Sequence, residues 1–149
     1  MGFVITVQGQ NHDKAKDSAS IHAVILTLFD GMREADSAKV SSVFHKEARM
    51  YSSFTSMEGK LMLKEGKLSS FLNAIGTPHD KIWDEKIWNT KILIDGGIAQ
   101  VWTDYAFYIG DDFSHCGVDA FDLVKDSSGK WKIIHLMDTR KKEGCETGH

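Results

Sequence analysis

The segment Gly117–Lys125 places a carboxylate, Asp119, inside a mostly apolar run. A second apolar run, Trp131–Asp138, follows after the polar stretch Asp126–Gly129. Both runs are rich in β-branched and aromatic residues, and the stretch between them has the composition of a turn, so the pattern predicts a β-hairpin. A carboxylate in such a strand costs free energy unless it meets a partner, water or a ligand. Asp119 is therefore the first candidate functional residue.

Strand alternation sorts the neighbours of Asp119 onto two faces, because successive side chains of a strand point to opposite sides. Pairing Lys125 with Lys130 across the turn predicts that one face carries Asp119, Phe121, Ile134, Leu136 and Asp138, together with Trp102, Asp104 and Ala106 of the preceding strand. A slip of one residue in the turn would replace part of this set by His135 and Met137.

Charge and composition narrow the class of protein. The chain has 149 residues, 42% of them apolar, which suits one domain spanning 1–149 with a single core. Its formal charge is −3, with Lys and Arg interleaved with acids, which argues against nucleic-acid binding. No apolar run is long enough to predict a membrane-spanning helix.

The sequence contains no pattern that predicts a metal or a cofactor. The seven histidines lie on separate segments without HxH or HExxH spacing, and neither a phosphate loop nor a dinucleotide glycine motif occurs. Cys116 and Cys145 match neither a CxxC motif nor a disulfide framework, so reduced thiols are expected. A cytoplasmic location is expected because the chain has no long apolar run and its N-terminus lacks a basic segment followed by an apolar stretch.

Helical periodicity dominates the first half of the chain. A flexible lead is predicted to about Lys16, followed by a first helix from Ser18 or Ser20 to about Ala35. Asp36 or Ser37 can cap a short second helix. A third helix is predicted from Leu61 to Ile75, with Gly76 and Pro78 after it as stop signals.

Strand periodicity dominates the second half. After a first strand at about Ala48–Phe54, the predicted strands are Ile82–Trp88, Lys91–Asp95, Ile98–Ile109, Phe113–Lys125 and Lys130–Arg140. Helices followed by antiparallel strands indicate the α+β class, with a core at about 18–140 and a polar, frayed tail after it.

The helical lead with Asp36–Phe44, together with Asp119–Lys125 and Gly129–Ile133, resembles the nuclear transport factor 2-like superfamily, and within it the SnoaL-like and putative lumazine-binding branches. The resemblance covers about Ile21–Arg140. It implies a cystatin-like cone, in which three N-terminal helices pack on a curved antiparallel sheet and a pocket lies at the open end. It also implies a homodimer formed through the sheet.

The resemblance also carries expectations for single residues. Asp119 falls where the ketosteroid-isomerase branch keeps an acid that donates a hydrogen bond to the oxyanion. Leu28 and Ser52 stand where that branch has its tyrosine and its general-base aspartate. Ketosteroid-isomerase activity is therefore excluded. In SnoaL-like cyclases one pocket aspartate does the acid/base work, which implies Asp119, assisted by Asp104, as catalytic residues.

The leading functional hypothesis is a small-molecule-binding protein for an apolar or aromatic ligand. The expected ligand-binding residues are Trp102, Phe121, Asp138, Leu136 and Tyr51, beside the carboxylates Asp119 and Asp104. A SnoaL-like cyclase, isomerase or dehydratase is the second hypothesis, and a protein-binding adaptor is the third.

A convex sheet face is expected to form the homodimer. Tyr105, Phe107, His135 and Met137 are predicted to point to it. Such an apolar patch would be too large to leave in water, and a self-complementary sheet contact would cover it.

Overall fold

The computed structural model describes residues 7–146, with side chains from residue 13 onward. Helix α1 spans Val7–Arg33 and buries Ile21, Ile25 and Leu28 completely or almost so. The lead that was predicted to be flexible to Lys16 is therefore helical from Val7, and its first six residues lie outside the described part.

The second helix, α2, spans Ser37–Ser41, and Asp36 caps it by accepting a hydrogen bond from the Lys39 amide. Strand β1 follows at Phe44–Thr55 and is longer at its start than the sequence indicated. The prediction that Asp36 can cap the second helix is confirmed by this hydrogen bond.

The third helix is shorter than predicted, because its first part is a strand. Strand β2 spans Leu61–Gly66 and α3 spans Leu68–Gly76. β2 pairs antiparallel with β1, from Met50 opposite Gly66 to Thr55 opposite Leu61. All six residues of β2 are exposed, so backbone pairing rather than apolar periodicity determines their conformation.

The sheet has six strands in the order β2-β1-β6-β5-β4-β3. The remaining strands are β3 at Trp83–Asp95, β4 at Ile98–Ile109, β5 at Asp112–Lys125 and β6 at Trp131–Arg140. β3 joins two segments that were predicted as separate strands, with an irregularity between Trp88 and Lys91 where Asn89 has a positive φ. β1 and β6 are parallel, so the sheet is mixed rather than fully antiparallel.

One face of this curved sheet packs on α1 and forms the core. The cluster is built from aliphatic and aromatic side chains of both layers, including Phe29, Val40, Ile75, Val101, Phe121, Leu123, Trp131 and Ile133. The fold is therefore the predicted α+β cone of helices against a curved sheet.

Two of the register irregularities in the sheet, both β-bulges, determine which side chains of β5 and β6 face the core. The first lies between β4 and β5, where Tyr108 is opposite Phe113 but Phe107 is opposite His115. The second lies between β5 and β6, where Asp122 is opposite His135 but Leu123 is opposite Ile133. Each bulge adds one residue to a strand and reverses the alternation beyond it.

The C-terminal segment is tied to the sheet by a disulfide between Cys116 and Cys145. Cys116 and Lys141 also exchange two backbone hydrogen bonds of 2.9 Å each. The expectation of reduced thiols was wrong, because the sequence gives no measure of how close residues 29 positions apart come in space. The C-terminal segment, described to residue 146, is held by the backbone hydrogen bonds of Lys141 and by the disulfide at Cys145. The prediction of a frayed tail was therefore wrong.

Within residues 7–146, no helix is both long enough and apolar enough to cross a membrane.

Candidate functional site

Two carboxyl groups, those of Glu85 on β3 and Asp119 on β5, form a hydrogen bond with one another on the core face. The Asp119 side chain is buried, with 4% of the residue exposed, and Glu85 is half-buried. Asp119 Oδ2 accepts no hydrogen bond from the described residues. A protonated Asp119 can donate to the Glu85 carboxylate, so the pair is satisfied when it holds one proton.

Burial raises the pKa of both groups, because it penalises the charged forms. The pKa of Glu85 rises from 4.5 to about 7 despite the hydrogen bond from Asp119, which opposes the rise. The pKa of Asp119 rises well above its ordinary value through burial, the negative charge of Glu85 and the hydrogen bond to it. Around neutral pH, Glu85 therefore exchanges a proton, and Asp119 holds its proton to a higher pH than an exposed aspartate does.

Tyr105 lies beside this pair on β4 and is fully buried. Its hydroxyl donates to the Thr139 carbonyl oxygen at 2.6 Å and lies 3.4 Å from Asp138 Oδ2. The residue opposite Tyr105 on β5 is Gly117, so the ring reaches β6 across a strand position without a side chain. A Cβ atom at Gly117 would lie 2.1 Å from the Thr139 carbonyl oxygen, which leaves no room for another residue.

The end of β6 adds a third carboxylate and a cation. Asp138 lies directly opposite Asp119 in the pairing of β5 with β6. Asp138 Oδ2 accepts a hydrogen bond of 2.9 Å from Arg140 Nε. The negative charge of Asp138 further raises the pKa of Asp119, whereas the positive charge of Arg140 lowers it.

Aromatic rings border the carboxyl pair on the side of β3. Phe107 is opposite Glu85 in the sheet, and its ring lies 6.4 Å from that of Trp83 and 5.2 Å from that of His115. The pKa of His115 is lowered by burial, which penalises the charged ring, and by the positive charge of Arg140. A neutral imidazole is therefore favoured here. The polar cluster thus has an apolar, aromatic border.

The last turn of α1 fixes the start of β3. Arg33 donates to Asp84 at 3.2 Å and also pairs with Asp30 of its own helix. Asp84 immediately precedes Glu85, so this ion pair fixes the chain segment that carries the acid.

The structure brings together four of the predicted site residues. Asp119 lies opposite Asp138, and Phe121 lies opposite Leu136, all on the core face. The other predictions of a shared face were wrong. Ile134 falls at the bulge of β6 and has no partner on β5, and Ile133 takes the inward position.

Trp102, Asp104 and Ala106 point to the face opposite Asp119, in contrast to the prediction. Thr103 is the residue opposite Asp119, because the bulge near Ser114 shifts the alternation by one. Trp102 is 55% exposed. Asp104 accepts a hydrogen bond from Asn89 on the outer face.

Tyr51 also lies on the outer face. Its partner in the sheet is Met137, and its ring lies 5.7 Å from that of His135. The structure therefore separates Tyr51, Trp102 and Asp104 from the carboxyl pair.

A comparison with protein families matches residues 16–137 to the family described as "Putative lumazine-binding". This chain belongs to that family. No curated protein sequence matches the chain.

Solved structures with similar folds include several nuclear transport factor 2-like proteins. A protein of unknown function from Shewanella baltica has a TM-score of 0.66 and 20% identity, and the match covers 87% of this chain and 97% of that one. A protein with a cystatin-like fold from Novosphingobium aromaticivorans has a TM-score of 0.74 and 8% identity, over 96% and 94%. A protein named as a putative scytalone dehydratase from the same organism has a TM-score of 0.70 and 13% identity, over 89% of each chain. This member of the "Putative lumazine-binding" family therefore has the nuclear transport factor 2-like fold.

Three residues of the cluster were not identified from the sequence of this family member: Glu85, Tyr105 and Arg140. Glu85 lies in the mixed run Ile82–Trp88, where two adjacent acids and a lysine interrupt the apolar residues and nothing marks the inward face. Tyr105 was assigned to the wrong face because the bulge is not visible in the sequence. Arg140 was interpreted only as the end of the last strand.

Two of the open clefts on the described surface have no lining contribution from Glu85 or Asp119. One, of about 450 Å³, lies between β1, β2 and the start of α3 and is lined partly by Lys46, Arg49 and Lys67. The other, of about 520 Å³, lies at the start of β3 and the turn between β4 and β5. Its lining includes Asp84, which places it next to Glu85 along the chain. No group of three or more His, Cys, Asp or Glu residues in the described part is arranged to hold a metal ion.

Proposed function

We propose that this protein binds a small molecule at the Glu85–Asp119 pair. The observation that supports the proposal is a buried pair of carboxyl groups in which no described residue donates a hydrogen bond to Asp119 Oδ2. Such a pair can donate one hydrogen bond to a ligand and accept another. A buried polar group without a partner is costly, so a ligand that supplies the missing donor gains affinity.

The border of the pair favours an apolar or aromatic ligand. Phe107, Trp83 and His115 supply ring surface next to the carboxyl groups. Ligand sites commonly combine such apolar walls with a few placed polar groups. The family description adds lumazine and related pteridines to the compounds to test.

Acid/base catalysis is the second candidate function, and the raised pKa of Glu85 favours it. A general acid or base works best with a pKa near the working pH, and that of Glu85 is about 7. In this reaction class Asp119 would give a proton to the substrate and Glu85 would take one, as in a cyclisation, isomerisation or dehydration. The dehydratase among the structural neighbours shows a shared fold only, so the proposal depends on the carboxyl pair.

The experiment is a thermal-shift screen against lumazine, pterins, flavins, steroids, aromatic polyketides and short acids. We compare the wild-type protein with Asp119→Asn and with Asp104→Asn, a matched control on the outer face. A ligand that stabilises the wild type and the control but not Asp119→Asn supports the proposal. Equal stabilisation of all three places the ligand elsewhere, and no stabilisation by any compound favours a protein-binding adaptor.

A homodimer through the outer sheet face is part of the proposed assembly. Trp102, Ala120, Met137 and Tyr51 form a continuous row across four paired strands. Trp102 is 55% and Met137 is 44% exposed, so the row presents apolar surface to solvent. Tyr105 and Phe107, which were predicted in this patch, point into the core face instead.

The cytoplasmic location expected from the sequence stays a prediction. The disulfide between Cys116 and Cys145 weighs against the cytoplasm, because disulfides are rare in cytosolic proteins.

A further inference from the structure

Arg140 is the cation of the carboxyl cluster on β6. Its Nε donates to Asp138 Oδ2 at 2.9 Å, and Asp138 lies directly opposite Asp119. The Asp138 side chain is 14% exposed, whereas that of Arg140 is 51% exposed. Arg140 thus lies at the solvent side of a group of acids whose inner members are buried.

The backbone around Arg140 is held on both sides. The preceding carbonyl, that of Thr139, accepts the Tyr105 hydroxyl at 2.6 Å, and Thr139 Oγ1 accepts the Val118 amide at 3.0 Å. The following residue, Lys141, exchanges two backbone hydrogen bonds with Cys116. These contacts fix the strand end, so the direction in which the Arg140 side chain leaves it is also fixed.

We propose that Arg140 is a positioning residue for the acid/base pair: it orients Asp138 against Asp119, and its charge sets how many protons Glu85 and Asp119 hold near neutral pH. The inference rests on the proposed function, since it concerns the same site. It adds a residue that regulates the site without being one of its two acids.

The charges around the pair support this role. The titratable and charged groups that the neighbouring elements bring to it are Arg33 of α1, Asp84 of β3, Tyr105 of β4, His115 of β5, and Asp138 with Arg140 of β6. Arg140 is the cation that lowers the pKa of both Glu85 and Asp119, while Asp138 raises both. Arg33 is already paired with Asp30 and Asp84.

Removing the charge of Arg140 should have two effects in the same direction. The direct attraction between the guanidinium and the ionised pair is lost, and the charge of Asp138 is no longer balanced. Both effects favour the protonated pair, so the midpoint of the Glu85 titration rises.

The test is a pH titration of the side-chain carboxyl carbons by NMR. We compare wild type, Arg140→Gln, Arg140→Lys and Arg49→Gln. The last variant removes an equal charge from β1, where Arg49 pairs with the exposed Glu65. We expect the Glu85 midpoint to rise by about half to one pH unit in Arg140→Gln. It should stay near the wild-type value in Arg140→Lys and in Arg49→Gln.

The inference is overturned if Arg140→Gln leaves the midpoint unchanged, or if Arg49→Gln moves it equally. It is also overturned if Glu85 titrates near pH 4.5 in the wild-type protein. Ligand binding is measured separately, by the thermal-shift screen of the wild-type protein. Absence of a ligand there counts against the proposed function alone, because the titration reports the role of Arg140 with or without a ligand.

Discussion

The Glu85 carboxyl group on β3 and the Asp119 carboxyl group on β5 are joined by a hydrogen bond on the buried face of the sheet, with β4 between their strands. A pair of this kind is stable with one proton and costly with none, because two negative charges would then be buried side by side. The proton is therefore part of the folded structure as well as of the proposed chemistry.

The stability of the protein should decrease as the pH rises from 5 to 8. In the unfolded chain Glu85 has lost its proton above about pH 4.5, whereas the folded protein keeps it until about pH 7. The folded state thus binds the extra proton in this range. The stabilisation is complete below pH 4.5 and is lost as the pH passes 7.

Urea denaturation at pH 5 and at pH 8 measures this difference for the wild type and for Glu85→Gln. We expect the variant to lose about 2 kcal/mol less than the wild type between the two values. Glu65→Gln, which changes an exposed acid, should follow the wild type. Parallel profiles for Glu85→Gln and the wild type would show that Glu85 titrates normally.

Gly117→Ala should destabilise the protein by about 2 kcal/mol or more. The new Cβ would overlap the Thr139 carbonyl oxygen, which is the acceptor of the Tyr105 hydroxyl. Gly97→Ala is the matched control, because its Cβ would meet only Lys125 Cβ at 3.9 Å. Chemical denaturation of both variants checks the prediction, and equal stability would contradict the close approach of β5 and β6.

Cys145→Ser should lower the melting temperature of the protein. Cross-linking residues 29 positions apart removes chain entropy from the unfolded state, worth up to about 3.5 kcal/mol in the entropic model. Reductant should lower the melting temperature of the wild type and leave the variant unchanged. Alkylation of denatured, unreduced protein should label no thiol, and labelling of both cysteines would contradict the bond.

Trp102→Glu should convert a dimer into a monomer. A charge at the β4 end of the outer-face row would have to be buried without a partner in the sheet contact. Leu61→Glu is the control, because Leu61 is 80% exposed but lies on the edge strand β2. Sedimentation velocity at micromolar concentration gives the answer, and a wild-type monomer would refute the dimer itself.

The class of the fold could be predicted because it depends on periodicity. The residues of α1 that repeat at helical spacing are the ones that the core buries, such as Ile21, Ile25 and Leu28. The segment Leu61–Gly66 could not be assigned in this way. Its conformation depends on pairing with β1, a contact between residues that are distant in the sequence.

The sheet face of each candidate site residue was predicted correctly for some residues and wrongly for others, and the bulges explain the difference. Counting back from the turn between β4 and β5 without a bulge places Trp102 opposite Asp119, whereas the extra residue near Ser114 places Thr103 there. Between β5 and β6 the wrong turn register and the bulge together shift the count by two residues. Leu136 and Asp138 consequently remain on the predicted face, although their partners differ.

The most direct measurement is the titration of the Glu85 and Asp119 carboxyl groups in the wild-type protein. The account predicts that Glu85 changes its chemical shift with a midpoint near pH 7 and that Asp119 stays protonated above its ordinary range. If both groups titrate near pH 4 with independent midpoints, as exposed carboxylates do, the pair does not share a proton, and the site proposed here is contradicted.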